Sequence, residues 1–209
     1  MPKNSNRFAA LNYVLRVELI DFEPVIWRVF SVPASITLPQ LHLVLQAVMG
    51  WTNSHLHSFH CGIYSYQARD PDYRMDELDN ALNEHGIRLS NLINHVKQAF
   101  VYEYDFGDCW EHQITLEGME LPDLSAPVAC LAGKNACPPE DCGGVSGYAD
   151  FLNILKDPSH EEYEQMRNWS GGSFDPMYFD MTDVNLALQK IKIKVPAKKA
   201  KVSPESSVH

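Results

Sequence analysis

A nine-residue stretch, YDFGDCWEH at residues 104–112, concentrates side chains that could do chemistry. It carries the carboxylates of Asp105, Asp108 and Glu111 and the imidazole of His112, grouped around one glycine. Carboxylates and imidazoles are the groups that bind divalent ions and transfer protons. The same residues are also typical of a tight polar turn, in which aspartates bond their own backbone amides. The stretch therefore predicts either part of an active site or a structural hairpin.

A run of histidines, HLHSFHCGIYSY, suggests a partner for this stretch at residues 55–66. In a strand, alternate residues share a face, so His55 and His57 would point the same way. If this strand lies beside the first stretch, a mixed nitrogen and oxygen site for Zn, Mn or Fe would form from His55, His57, Asp105 and His112. The alternative is a pair of histidines that bond to backbone and hold no ion.

Two functions follow from these residues, and the sequence leaves both open. In a metal-dependent hydrolase the ion would lower the pKa of a bound water, and Asp108, Glu111 or Glu140 would act as general base. In PPEDCGG two prolines and two glycines hold Glu140 and Asp141 in a defined loop. The second function is a binding or interaction domain without chemistry, since we find no complete set of nucleophile, base and orienting residue.

Hydrophobic patterning predicts an α+β fold. A hairpin is expected at 11–20 and 25–32, followed by a helix that starts in the capping box at 37–40 and ends near Gly50. Further strands are predicted at 55–66, 99–106 and 109–118. Helices are predicted at 75–86, 148–157, 160–169 and 181–191, and a Pro/Cys/Gly-rich loop at 126–147. This order predicts a single domain with a mainly antiparallel sheet, packed with helices that lie mostly near the C-terminus.

The second predicted hairpin turns at residues 106–108, where we expect Gly107 to adopt a positive φ. The aromatic side chains of Tyr102, Tyr104 and Phe106 should share the buried face. Burying three rings is more favourable than burying the opposite face, which carries one valine and two carboxylates. Asp105 would then lie on the open face.

Composition and charge limit the class of protein. The chain has 209 residues with 45% apolar side chains, enough for one folded domain, expected over 1–191, and a basic, disordered tail over 192–209. Residues 1–189 carry 11 Lys/Arg against 26 Asp/Glu, a net charge of −15, which disfavours non-specific nucleic-acid binding. No apolar run is long enough for a membrane span and no secretory signal is visible, so a cytoplasmic location is expected. The five cysteines, an odd number, are expected to be reduced.

Six motifs resemble, in their order, the Ri-plasmid ORF-3-like domain family, which is also met as a TnpR-like passenger protein of insertion elements. They are PVIWRVFSVP, TLPQLHLVLQAVMGW, HLHSF, YDFGDCWEH, PPEDCGGVSGYADFL and FDPMYFD, and the resemblance covers residues 13–188. It implies a compact α+β domain and a link to mobile genetic elements. For the binding domain itself, we expect an unidentified protein or small ligand as the partner. The resemblance also places emphasis on a polar set: His55, His57, Asp105, Asp108, His112, Glu140 and Asp141.

Overall fold

The protein is described by a computed structural model that covers residues 11–68, 81–123 and 125–193. Its strands are β1 (Asn12–Leu19), β2 (Trp27–Pro33), β3 (His57–Cys61), β4 (Tyr64–Gln67), β5 (Leu82–Asn83), β6 (Ala99–Tyr104), β7 (Trp110–Glu120) and β8 (Ala129–Lys134). Its helices are α1 (Leu38–Met49), α2 (Leu89–Leu92), α3 (Gly144–Lys156), α4 (Tyr163–Trp169) and α5 (Met181–Leu188). None of these helices is long and apolar enough to cross a bilayer.

The eight strands of the described residues join one sheet in the order β5-β4-β3-β6-β7-β1-β2-β8. Every neighbouring pair is antiparallel except β4 and β5. The predicted single-domain α+β fold with a mainly antiparallel sheet and C-terminal helices is therefore confirmed.

One face of the sheet forms the core, and α1 lies across it. Alternate residues of the central strands are completely buried, as period-two patterning requires: Tyr13, Leu15, Val17, Phe30, Tyr102, Tyr104, Trp110, Ile114 and Leu116. Helix α1 buries Leu41, Val44, Leu45 and Val48, which recur at helical spacing. A capping box, with the Gln40 side chain accepting from the Thr37 amide, begins the helix as predicted.

The β6–β7 hairpin forms as predicted, but its turn differs in detail. Positive φ values occur at Asp105 (59°) and Cys109 (54°), and Gly107 does not have one. Tyr102 and Tyr104 are buried, whereas Phe106 is 40% exposed, because the chain has left the strand pattern at Asp105. Asp105 itself is buried, 8% exposed, so its predicted place on the open face is wrong.

Two other local predictions differ from the structure. Residues 126–147 contain strand β8 at Ala129–Lys134, where a loop was expected, because this segment pairs with β2 along the sheet edge. Of the helix predicted at 75–86, residues 75–80 lie outside the described part of the chain. Within the remainder, Leu82–Asn83 forms the short strand β5.

A buried arginine joins three parts of this fold. Arg28 of β2 is 2% exposed, and its guanidinium donates to the carbonyl oxygens of Trp27, Val48, Lys134 and Asn135 at 2.8–2.9 Å. These carbonyls belong to β2, to the last turn of α1 and to the end of β8. A cation suits the end of α1, where helix carbonyls point out of the last turn.

We expect Arg28→Lys to lower the free energy of unfolding by about 3 kcal/mol, because an ammonium cannot reproduce the guanidinium fork and leaves buried carbonyls without donors. Urea unfolding followed by tryptophan fluorescence measures the change. Arg16→Lys is the matched control, since Arg16 pairs with Glu18 on a partly exposed face and should lose less than 1 kcal/mol. Equal losses in the two variants would contradict this role for Arg28.

Candidate metal centre

Three loops bring four titratable side chains together at one end of the sheet. His55 lies in the connection between α1 and β3, Asp105 directly follows β6, and Glu140 and Asp141 precede α3. We call His55, Asp105, Glu140 and Asp141 the acidic corner. The loops connect elements that the sheet and Arg28 hold in place, so the corner is assembled by tertiary structure from residues far apart in the sequence.

The imidazole of His55 is the centre of the acidic corner. Its Nδ1 lies 3.6 Å from Asp105 Oδ2, and its Nε2 lies 3.1 Å from Asp141 Oδ1 and 3.7 Å from Glu140 Oε2. One ligand atom each from His55, Asp105 and Asp141 lie within 4.8 Å of one another. Metal–ligand distances of about 2.0–2.2 Å place ligand atoms up to about 4.4 Å apart, so small side-chain rotations would close the set around one ion.

Asp105 reaches the acidic corner because of its backbone conformation. Its φ of 59° is left-handed, a region that aspartate tolerates better than most residues. Its amide donates to the carbonyl oxygen of Leu56 at 2.9 Å, which ties the turn to the His55 loop. One carboxylate oxygen accepts from the Gly107 amide at 2.9 Å, which leaves the other facing His55.

Glu140 is anchored through one of its two carboxylate oxygens. Oε1 accepts from the Thr52 amide at 2.7 Å, from the Thr52 hydroxyl at 2.9 Å and from the Tyr104 hydroxyl at 3.1 Å. Burial, followed by the nearby charge of Glu140, raises the pKa of Tyr104 to about 12, so this hydroxyl stays a donor at neutral pH. Tyr104 also accepts from the Ser54 amide at 2.9 Å, which fixes the loop that carries His55.

Two atoms of the acidic corner are buried and have no hydrogen-bond partner among the described residues. They are Glu140 Oε2 and His55 Nε2, which face each other at 3.7 Å. The 3.1 Å approach of Asp141 to His55 Nε2 is an ion-pair distance but does not have hydrogen-bond geometry. Buried polar atoms are nearly always satisfied, so this pair of atoms is a candidate position for a bound group. An imidazole nitrogen with several carboxylate oxygens is a donor set that suits Mn, Fe or Zn.

Asp108 and the start of α3 position the loop of Glu140 and Asp141. Asp108 Oδ2 accepts from the Gly143 amide at 3.0 Å. Gly144 follows with a φ of 68°, and a Cβ there would lie 2.5 Å from the carbonyl oxygen of Asp108. A glycine is therefore required where α3 starts against the β6–β7 turn. Asp108, predicted as a general base, makes a hydrogen bond outside the acidic corner.

Glu111, another predicted base, is exposed on β7 and is paired across the sheet with Glu103 of β6. It too lies outside the acidic corner. Of the three predicted bases, Glu140 is the one that the structure brings beside His55.

The predicted four-residue metal set is divided by the structure. His55 and Asp105 come together, whereas His57 bonds to Glu84 Oε2 at 3.0 Å and stacks on His42 with ring centroids 3.6 Å apart. The strand that contains His57 begins only at that residue, so His55 does not share its face.

His112 is completely buried inside the core. Its Nδ1 donates to the carbonyl oxygen of Tyr102 at 3.2 Å, and its Nε2 accepts from Trp51 Nε1 at 3.4 Å. Both ring nitrogens are thus engaged by protein groups, and burial lowers the pKa of His112 to about 4. The neutral ring, on β7, thus makes a polar contact with Trp51, which lies in the connection between α1 and β3.

Sequence reasoning missed the residues that orient the corner. Thr52 and Ser54 lie in WTNSH, which carries no spacing typical of a site, and Tyr104 was assigned to the core alone. The predicted metal set also lacks Asp141, although this residue belongs to the polar set that the resemblance emphasises. The available signal was that WTNSH, YDFGD and PPEDC are polar segments directly beside predicted elements, where loops can meet.

The fold and the acidic corner together define a class: a single-domain α+β protein with a cluster of one histidine and three carboxylates at one end of an antiparallel sheet. The sequence profile described as "Plasmid pRiA4b ORF-3-like protein" matches residues 12–183. The chain therefore belongs to the plasmid pRiA4b ORF-3-like family, as its motifs predicted.

Two relatives support this assignment. The chain is 36% identical over 188 residues to uncharacterized protein y4hQ of Sinorhizobium fredii, covering 86% of this chain and 92% of that protein. It is also similar to the crystal structure of MM3350, a protein of unknown function from Methanosarcina mazei Go1. That likeness has a TM-score of 0.74 and 36% identity, and it covers 83% of this chain and 97% of the other.

The low pKa of His112 predicts a pH dependence of stability. In the unfolded chain the imidazole has a pKa of about 6.5, so on acidification the unfolded state takes up the proton first. The contribution of His112 is complete above that pH and is lost between about pH 6.5 and pH 4, a loss of about 3 kcal/mol.

Urea unfolding from pH 7.5 to pH 4.5 tests this expectation. His112→Asn keeps a donor but removes the titration, so its stability should fall less steeply over this range than that of the natural protein. His95→Asn, at an exposed position, should keep the natural slope. An unchanged slope in His112→Asn would show that other groups carry the acid sensitivity.

Proposed function

We propose that this protein is a binding domain that holds a divalent metal ion, Mn, Fe or Zn, in the acidic corner. The observation that carries the proposal is a pair of buried atoms, His55 Nε2 and Glu140 Oε2, that have no hydrogen-bond partner in the described part of the chain. Two more carboxylates lie around the same imidazole. Like-charged carboxylates at such short range repel each other, and a bound cation relieves that repulsion. The ion would be held by residues from three loops.

This proposal extends to partners and location. The net charge of −15 over residues 1–189 favours basic or neutral partners and disfavours phosphate backbones, so we propose a protein or small ligand as the partner. A cytoplasmic location is proposed from the sequence. A link to mobile genetic elements rests on the resemblance to TnpR-like passenger proteins.

Metal titration of the chelator-treated protein tests the proposal. By isothermal titration calorimetry we expect one Mn²⁺ or Zn²⁺ per chain, and at least tenfold weaker binding in Asp105→Asn and Asp141→Asn, because each removes a charged ligand. Glu111→Gln is the matched control, since it removes one carboxylate from β7 and should bind the ion normally. Stoichiometry below one tenth, or equal affinities in all four proteins, would exclude a metal at the acidic corner.

A second candidate function is metal-assisted hydrolysis, and the geometry of Glu140 favours it. Three donors hold Oε1, so Oε2 is presented to the corner in one orientation, as a general base must be. In this function the ion would lower the pKa of a bound water and Glu140 would take its proton. Asp108 bonds to the Gly143 amide and Glu111 is exposed on β7, so neither is held in this way beside His55.

Activity assays distinguish the two functions. With metal at saturating concentration, the protein is mixed with panels of phosphoester and peptide substrates, and any turnover is compared in Glu140→Gln. For a hydrolase we expect a loss of at least 100-fold, because general bases contribute on the order of 10²- to 10⁴-fold. Glu111→Gln should retain full turnover. If the protein binds metal but shows no turnover, the hydrolase function is contradicted and the binding function stands.

A further inference from the structure

A cavity of about 430 Å³ lies between α3 and α4, directly beside the acidic corner. Its apolar walls come from Phe151 and Ile154 of α3 and from Met166 and Trp169 of α4. Asp141 and Asp150 also line it. The volume is in the range of pockets that hold small molecules or single side chains of a partner.

The two aromatic side chains of the cavity wall contact each other. The rings of Phe151 and Trp169 meet edge to face, with centroids 5.5 Å apart and planes at 76°. Phe151 is buried at 3% exposure, whereas Trp169 is 46% exposed although it is the largest side chain type. The indole is therefore partly open to a ligand in the cavity, and aromatic rings attract cations.

The charges at the cavity have one sign. Of the nine residues that line it in the described part of the chain, Asp141 and Asp150 are charged and neither a lysine nor an arginine is present. The surrounding domain is also acidic, with a net charge of −15 over residues 1–189. An anionic ligand is therefore disfavoured, and a cation is attracted both at long range and at contact.

Asp141 connects the cavity to the acidic corner. Asp141 is one of the residues that line the cavity, and its Oδ1 lies 3.1 Å from His55 Nε2. A group in the cavity is consequently adjacent to the proposed metal ion. We infer that the cavity is a recognition pocket for an arginine side chain of a peptide, which it places next to the acidic corner.

Arginine fits this pocket better than other cations. Its planar guanidinium stacks on an aromatic face such as that of Trp169 while its N–H groups donate in a fork to a carboxylate such as that of Asp150. Lysine offers a compact, strongly hydrated charge that cannot stack in this way. This inference gives the class of partner or substrate for the proposed function. It rests on the proposed function only where the arginine is placed beside a bound metal ion, because binding of arginine in the pocket needs no ion.

The test compares two probes that differ in charge and little in shape, N-acetyl-arginine amide and N-acetyl-citrulline amide. Each is titrated into the full chain in the presence of EDTA, with ligand-observed NMR as the measurement. We expect the arginine probe to bind at least fivefold more tightly than the citrulline probe. Asp150→Asn should remove this preference, and Trp169→Leu should weaken binding of the arginine probe at least fivefold.

Glu117→Gln is the control for general charge attraction, because it removes one carboxylate from an exposed position of β7 outside the pocket. It should keep the preference for arginine. The inference is overturned if the two probes bind equally, if neither binds, or if Glu117→Gln has the same effect as Asp150→Asn.

Failure of this inference is distinguishable from failure of the proposed function. Asp150→Asn should keep its metal affinity, since Asp150 is not a member of the acidic corner. Asp105→Asn, conversely, should lose metal affinity and still prefer the arginine probe in EDTA. The opposite pattern, with Asp105→Asn losing the probe and Asp150→Asn losing the ion, would contradict the assignment of the two sites.

Discussion

The guanidinium of Arg28 lies in the interior, and its hydrogen-bond partners among the described residues are backbone carbonyl oxygens. A buried cation that lacked these acceptors would cost several kcal/mol, so α1, β2 and the end of β8 are required to meet around it. The ring of Phe179 covers the cation at 4.4 Å, and Gly133 is required because a Cβ there would clash with both side chains. The carbonyls of Val48 and Asn135 lie only a few residues before the two loops that carry His55 and Glu140. Placement of the acidic corner therefore depends on this one buried charge.

The corner and the core are joined through Tyr104. Its ring is completely buried on the sheet face beneath Trp51, while its hydroxyl bonds to the Ser54 amide and to Glu140. One side chain thus uses its apolar body for packing and its polar tip for the site, which is the usual role of a buried tyrosine. Because Asp105 directly follows Tyr104, the same strand end supplies both an anchor and a candidate metal ligand.

A second polar layer lies deeper and has a structural role. His42 stacks on His57, bonds to the Tyr102 hydroxyl at 2.8 Å and to Asn53 at 2.6 Å, and burial lowers its pKa to about 4. The histidines that first suggested a metal are mostly members of this layer and of the contact between His112 and Trp51. They connect α1 and the loop after it to the sheet, and so hold in place the loop on which His55 lies.

The sequence by itself determined the types of most elements, the β6–β7 hairpin, the α+β class and the family, because these depend on local periodicity, on capping and turn residues and on motifs read in order. It also identified His55, Asp105 and Glu140 as residues whose side chains could bind an ion or transfer a proton. Tertiary structure decided which of them meet. Strand β8 exists because β2 offers an edge to pair with, Asp105 is buried because its backbone turns left-handed beside Leu56, and His57 and His112 face the core because strand alternation starts at His57 and Trp110. The three loops of the acidic corner meet because of long-range contacts such as those of Arg28. Neither the spacing of residues nor the composition of the chain predicts such contacts.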